Sequence, residues 1–335
     1  MKKILSAFIA LTLVIVLAGC GSKTSNNANN QELLTINGEA VSVSLFISYL
    51  ETARMNVETQ YNTSGASDFW QSASIDGESA NDYAKGQALL NIENLYVTKQ
   101  QLNRALTSDE QAKVQNLKDI YKNTYGNQYT EKLAEQGLTP EANDLKLTYT
   151  AYDEIVYNQM KDNTTDAQFR DFYQNDMLLI KQIMISKKDK NGAALTGDAL
   201  AAAQSKAQSV EQQAQSGVDF DALITDDNED STMASNPDGI LIAKTNPSYS
   251  TIWMDTATGL ADNAISDIFD NGDGWYILKR LPIDLSTYSN NYEFIKREYW
   301  INQQYEWRTA ANVVKNDELW NSIDVSKGLS NNFGI

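Results

Sequence analysis

The sequence predicts an α+β protein, a helical body assembled from both chain ends with a strand-containing block inserted between them. Three observations carry this. Apolar residues recur at helical spacing through most of 44–175. The period then changes at 178–186 (LLIKQIMIS), and short apolar strands separated by turns continue to Leu281. A long aromatic helical stretch, 291–316, follows and needs a partner surface, most simply the first helices. The length of 335 residues agrees, at about 150 residues per domain.

Taken in order, Met1-Lys2-Lys3 is a basic start, and 4–18 is apolar except for Ser6 and Thr12. That run is shorter than the ~20 residues of a spanning helix, so it reads as the core of a signal peptide. It ends Leu17-Ala18-Gly19-Cys20, and Cys20 is the one cysteine of the chain. A single thiol excludes an intramolecular disulfide and a thiolate metal cluster. Residues 21–31 (GSKTSNNANNQ) read as a flexible tether. Its reach is at most ~36 Å at ~3.3 Å per residue.

Residues 33–43 alternate apolar and polar around Asn37-Gly38, a hairpin signal. A helix follows with Phe46, Tyr49, Leu50, Ala53 and Val57 on one face. The stretch 62–80 is rich in Ser, Gly and Asp and reads as a loop. A second helix carries Leu89, Ile92, Leu95, Tyr96, Lys99 and Leu102. Thr107 to Glu110 is a capping box that opens a third. Pro140 after Thr139 opens a fourth, with Leu145, Tyr149, Tyr152, Ile155 and Val156 inward. Thr165 to Gln168 is another capping box and starts a short helix.

Within the block, the strand 178–186 leads to an alanine-rich helix, 199–216, stopped by Gly217. A helical turn at 220–224, a strand at 239–243, a brief helix at 253–260 and an extended piece at 265–269 come next. The turn Asn271-Gly272-Asp273-Gly274 enters a last strand, 275–281.

Composition excludes several functions. Lys+Arg number 27 against 44 Asp+Glu, a net charge of −17 that repels phosphate backbones and argues against nucleic acid as a partner. With 42% hydrophobic and 21% charged residues, the chain is composed like a folded protein rather than a disordered one. There is no histidine, which removes Ser-His-Asp and Cys-His catalysis, His-ligated zinc and imidazole acid–base chemistry together. The acidic run 226–230 (DDNED) lacks the Asp-x-Asp-x-Asp-Gly spacing of a calcium loop. No metal and no cofactor is expected.

The leader's end resembles the bacterial lipobox, which implies cleavage before Cys20 and lipidation of its thiol. Two acyl chains anchor stably where one is marginal. The layout as a whole resembles the PrsA-type foldase lipoproteins and their SurA-type relatives, extracytoplasmic chaperones with a parvulin-type peptidyl-prolyl isomerase domain. Leu179 to Ile185 is similar to that domain's first strand, where Lys-His-Ile-Leu-Val is usual. Gly217-Val218-Asp219-Phe220-Asp221-Ala222-Leu223 matches Gly-x-x-Phe-x-x-Leu, and Asn228-Glu229-Asp230 matches Ser-x-Asp. Asp238-Gly239-Ile240-Leu241 stands at Gly-Asp-Leu-Gly, Trp253-x-x-x-Ala257 at Phe-x-x-x-Ala, and Ile265-Ser266 at Ile-Ser. Gly274-Trp275-Tyr276-Ile277-Leu278 stands at the closing Gly-Tyr-His-Ile-Ile.

The resemblance implies a four-stranded antiparallel sheet with surrounding helices, inserted in a helical chaperone domain. The boundaries are then 1–19 for the signal peptide, 20–32 for the lipidated cysteine and tether, 33–175 for the first helical part, 176–283 for the parvulin-like domain and 284–335 for the returning helix. It implies unfolded secreted proteins and proline-containing segments as partners, the outer face of the cell membrane as location, and leaves a homodimer open.

The departures matter as much. Gln182 and Tyr276 stand where the family has its two histidines, and neither side chain titrates near neutral pH. The implied site is therefore a degenerate one, Asp230, Gln182 and Tyr276, with Gln182 and Tyr276 meeting across adjacent strands and isomerase activity weak or absent. Tyr249 and Trp253 take the positions that line the proline pocket. Plainer roles compete: core packing for Tyr249 and Trp253, and a solvated acidic run for Asp230. At the level of the whole protein, a solute-binding lipoprotein of a transporter and a non-catalytic surface docking protein are the alternatives. The first lacks the repeated strand–helix units it would need in 44–175.

Overall fold

A computed structural model describes residues 31–335 except 62, 64–66, 76 and 103. The signal peptide, Cys20 and nearly all of the tether lie outside the described residues. The hairpin β1 (Glu32–Ile36) and β2 (Glu39–Ser42) opens the fold. Its turn holds Asn37 at φ 52° and Gly38 at φ 82°, the left-handed pair that a two-residue hairpin requires. Next comes α1 (Val43–Tyr61). The expected loop 62–80 instead contains α2 (Ser67–Ser72) and a hairpin of β3 (Ser74–Ile75) and β4 (Glu78–Ser79). Two buried anchors, Trp70 and Ile75, order it, and their polar neighbours hid them from a periodicity reading.

The body continues with α3 (Ala80–Gln100), α4 (Ser108–Tyr125), the short unforeseen α5 (Tyr129–Ala134), α6 (Pro140–Asn163) and α7 (Asp166–Asn175). Both capping boxes form, Thr107 with Glu110 and Thr165 with Gln168.

The block follows as β5 (Met177–Ser186), α8 (Gly197–Gln215), α9 (Phe220–Asp227), α10 (Thr232–Ser235), β6 (Ile240–Ala243), α11 (Thr251–Gly259), β7 (Phe269–Asp270) and β8 (Gly274–Leu281). The sheet is four-stranded and antiparallel in the order β6-β5-β8-β7. Both faces are covered, so its central strands read as continuous apolar runs rather than as alternation. Ile183, Ile185, Trp275 and Ile277 face α8 and α9, while Leu178, Ile180, Tyr276 and Leu278 face Met233, Trp253 and Ala257.

The extended piece expected at 265–269 pairs with β8 in two places. Ile265 makes one bridge to Lys279, and regular pairing resumes only at Phe269. Between them the chain turns toward α8, where the Ile268 N–H donates to Glu211 at 2.8 Å. Gly274, at the start of β8, sits where a Cβ would lie 2.8 Å from the Ile185 carbonyl and 2.9 Å from Met184 Cγ. Gly274→Ala is expected to cost about 1–3 kcal/mol through overpacking, read as a lower melting temperature by calorimetry. An unchanged melting temperature would mean that β8 shifts freely.

The chain then returns to the body through α12 (Tyr288–Thr309), β9 (Val313–Lys315) and α13 (Asp317–Ser322). The expected helix to 316 thus stops at Thr309. Its last residues become a strand because β9 pairs antiparallel with β1, Ile36 opposite Val313. The two chain ends close one sheet, β2-β1-β9, and Val325 and Phe333 enter the same core as Leu34, Phe46 and Ile92.

Glu39 ties this sheet to the helices. Its carboxylate accepts from Lys99 Nζ at 2.8 Å, from Gln100 Nε2 at 3.2 Å, and from the Tyr149 hydroxyl. Burial pushes the Glu39 carboxyl up, but the bonds from Lys99, Tyr149 and Gln100 outweigh it and hold it below its ordinary value of 4.5. A depressed carboxyl stabilises the fold above the unfolded-state value, and that contribution disappears as pH falls through the folded-state value. Acid titration followed by circular dichroism should show wild type losing stability below pH 4.5, with part of that loss absent in Glu39→Gln. Equal acid sensitivity in both would place the effect elsewhere.

Candidate functional site

The site begins at an unfinished sheet edge. β6 pairs with β5 only as far as Ile180, opposite Ile240. The next N–H groups on that edge of β5 would be left bare, and buried backbone donors need partners. The acidic stretch supplies them. The Gln182 N–H points to Met233 Sδ at 3.4 Å, the Met184 N–H donates to Asn228 Oδ1 at 2.8 Å, and the Ser186 N–H donates to Glu229 Oε2 at 2.9 Å. The Glu229 N–H returns a bond to the Met184 carbonyl at 2.9 Å. Residues 228–230 are therefore docked along the strand edge, while Asp226 and the Glu229 side chain stay exposed.

That docking delivers Asp230 to Gln182. The Gln182 side chain is 3% exposed, and its Nε2 donates to Asp230 Oδ2 at 2.6 Å. Its Oε1 accepts from the indole Nε1 of Trp253 at 2.9 Å. Asp230 is half-buried, and its Oδ1 accepts from the Thr232 N–H at 3.1 Å and the Thr232 hydroxyl at 2.9 Å. Trp253, on α11, is 1% exposed, and the half-buried ring of Tyr249 stacks on it at 4.1 Å and 29°. Of the two roles the sequence left open for Trp253, its burial matches core packing; Tyr249 covers it and is itself half-buried.

Tyr276 lies on the same sheet face, opposite Met184, while Gln182 stands opposite Leu278. The expected Gln182–Tyr276 contact gives no hydrogen bond, because Gln182 is engaged by Asp230 and Trp253. The Tyr276 hydroxyl points to Asp273 at 3.4 Å, and its ring stacks on Phe269. Burial, then the charges of Asp273 and Asp230, push the Tyr276 hydroxyl well above the ordinary tyrosine range. Burial and then Asp230 do the same, less strongly, for Tyr249. Both phenols stay protonated donors at neutral pH. The cluster holds hydrogen-bonding groups in fixed positions and contains no imidazole.

A buried carboxylate positions the loop that carries Tyr249. Glu298 of α12 is 4% exposed and accepts from the Ala243 N–H at 2.7 Å and from Asn246 Nδ2 at 3.0 Å. Asn246 Oδ1 then accepts from the Ser248 N–H at 2.9 Å, one residue before Tyr249. In the sequence Asn228 figures only as part of the Ser-x-Asp match, without its role at the strand edge, and Thr232 and Glu298 are not singled out. Asp230-x-Thr232 is a local turn pattern that was legible; the partners of Asn228 and Glu298 are 44 and 55 residues away.

Residues 183–281 match the rotamase model, the PPIC-type peptidyl-prolyl isomerase domain. The match starts one residue after Gln182 and contains Asp230, Tyr249, Trp253 and Tyr276. The chain is 22% identical over 321 residues to the foldase protein PrsA of Streptococcus agalactiae serotype Ia, covering 94% of this chain and 82% of that protein. PrsA of S. agalactiae serotype III gives the same figures. Among solved structures, PrsA of Streptococcus pneumoniae is similar at 19% identity and a TM-score of 0.30, covering 77% of this chain and 92% of that one. PrsA of Bacillus cereus is similar at 16% identity and a TM-score of 0.31, covering 92% and 93%. The domain match and the curated relatives carry the resemblance to PrsA-type foldases with a parvulin-type domain.

Proposed function

We propose that this chain is a membrane-anchored extracytoplasmic foldase that holds unfolded secreted proteins, and that its parvulin-type domain binds proline-containing segments with weak or no isomerase activity. The observation that carries the reading is the isomerase-domain match over 183–281, inside a chain similar along nearly its whole length to a foldase. The proposed division is 33–175 with 284–335 as the chaperone body and 176–283 as the isomerase-like domain. Cys20 is the proposed lipid anchor, after removal of 1–19.

Cis–trans rotation about X-Pro faces a barrier of about 18–20 kcal/mol from amide resonance. A non-covalent site lowers it by holding the twisted amide, and no proton need leave the substrate. Asp230 is the proposed peptide-facing acceptor, with Gln182 and Tyr276 as its fixed neighbours and Tyr249 as the apolar contact. A site without a group that titrates near pH 7 keeps binding geometry and loses imidazole-dependent tuning.

Two measurements separate the parts. Stoichiometric protein should suppress aggregation of an unfolded secretory protein; no suppression removes the chaperone reading. In a protease-coupled assay on an X-Pro peptide, wild type should run close to the uncatalysed rate, and a rate typical of a histidine-containing parvulin would overturn the degenerate-site reading. Asp230→Ala should weaken peptide binding about tenfold, the loss of one charge-assisted hydrogen bond.

A further inference from the structure

We propose that Trp253 is a positioning residue for peptide recognition, acting through Gln182 and not by touching the peptide. The inference rests on the peptide-binding reading above and deepens it.

A glutamine amide has nearly the same shape in its two orientations, so shape alone does not choose between them. Here the neighbours choose. An indole N–H only donates, and an ionised carboxylate only accepts. Gln182 stands between one of each, 2.9 Å from Trp253 Nε1 and 2.6 Å from Asp230 Oδ2. One orientation satisfies both ends. The flipped one sets N–H against N–H and oxygen against oxygen, with Gln182 3% and Trp253 1% exposed and little water to relieve either clash. Trp253 therefore forces the amino group toward Asp230.

That donor matters for what remains open on Asp230. A carboxylate offers about four lone-pair sites. Gln182 uses one, and the Thr232 N–H and hydroxyl use two more. The site left over on this half-buried carboxylate fits one further N–H donor, and a polypeptide backbone N–H is the donor that every client carries. Tyr249 shields the indole from solvent, so the same peptide meets Tyr249 and not Trp253.

The test is a double-mutant cycle on the full chain, with a fluorescein-labelled Ala-Ala-Pro-Phe peptide as probe, read by anisotropy. Trp253→Phe keeps an aromatic ring and removes the donor. It should weaken binding about fivefold, a coupling on the scale of one hydrogen bond. In a Gln182→Met background the same change should alter affinity less than about twofold, because the group it orients is gone. An equal loss in both backgrounds means that Trp253 touches the peptide, and no loss in wild type means that it positions nothing; either overturns the proposal. If Trp253→Phe does not fold, Gln182→Met alone removes the amide donor to Asp230 without adding a charge, and it should reproduce the fivefold loss; full affinity in that variant overturns the proposal. If wild type does not bind the probe, the peptide-binding reading fails separately. The Gln182 side-chain NH₂ resonances then decide the orientation: they should shift on Trp253→Phe, and unmoved resonances overturn the positioning role.

Discussion

Trp253→Ala is expected to lower stability by about 3–5 kcal/mol, the usual cost of emptying a buried aromatic site. Trp253 is among the largest fully buried side chains of the chain, packed with Leu178, Ile180, Met233, Ile240 and Leu278 beneath α11. Its loss leaves a cavity between α11 and the sheet, strips Tyr249 of its stacking partner and unpairs Gln182 Oε1. The body has a separate core around Phe46, Ile92 and Phe333. Calorimetry should therefore show the sheet-containing block melting first in the mutant, with helical signal persisting to higher temperature. A loss below about 1 kcal/mol would mean that the site collapses around the gap and that the indole is not a packing anchor.

Glu298→Ala should cost about 2–4 kcal/mol, because each buried donor left without a partner is charged about 1–3 kcal/mol. Two donors are orphaned, the Ala243 N–H and the Asn246 amide. The change acts at the junction of helical body and sheet block, since α12 belongs to the first and the end of β6 to the second. Asn302 Oδ1, one turn on, accepts from the Thr245 hydroxyl at 2.8 Å and supports the same junction. Glu298→Gln should lose less, because the shape stays and one oxygen still accepts. Denaturant melts read the stability difference, and increased proteolysis within 244–250 in Glu298→Ala reads the loosened loop. Equal stability of wild type and Glu298→Ala would show that water reaches both donors.

Much of the architecture was legible before any coordinates, for local reasons. The Asn37-Gly38 turn, both capping boxes, Pro140 after Thr139 and the stop at Gly217 act within a few residues, and all formed where their chemistry placed them. The inserted sheet was legible because β5 and β8 are buried on both faces and carry continuous apolar runs. The misses share one cause. The helix expected to 316 ended at Thr309 because β1, almost 280 residues earlier, offered an open edge to 313–315. The loop at 62–80 folded into short elements because Trp70 and Ile75 found the core.

The candidate site divides along the same line. Residue types at 182, 230, 249, 253 and 276 were readable as a group, and so was the absence of histidine. Which of them touch was not. Asp230 reaches Gln182 because β6 stops short and the 228–233 segment must cover the bare edge of β5. Trp253 became a buried orienting donor rather than an exposed wall because Tyr249 stacks on it, held by a loop that Glu298 ties to the distant helix α12. Propensities, caps and turns are properties of neighbours in sequence, so the chain alone determined its elements and the loss of imidazole chemistry. Hydrogen-bond partners across a sheet edge are chosen by where strands end, and only the folded arrangement decided that.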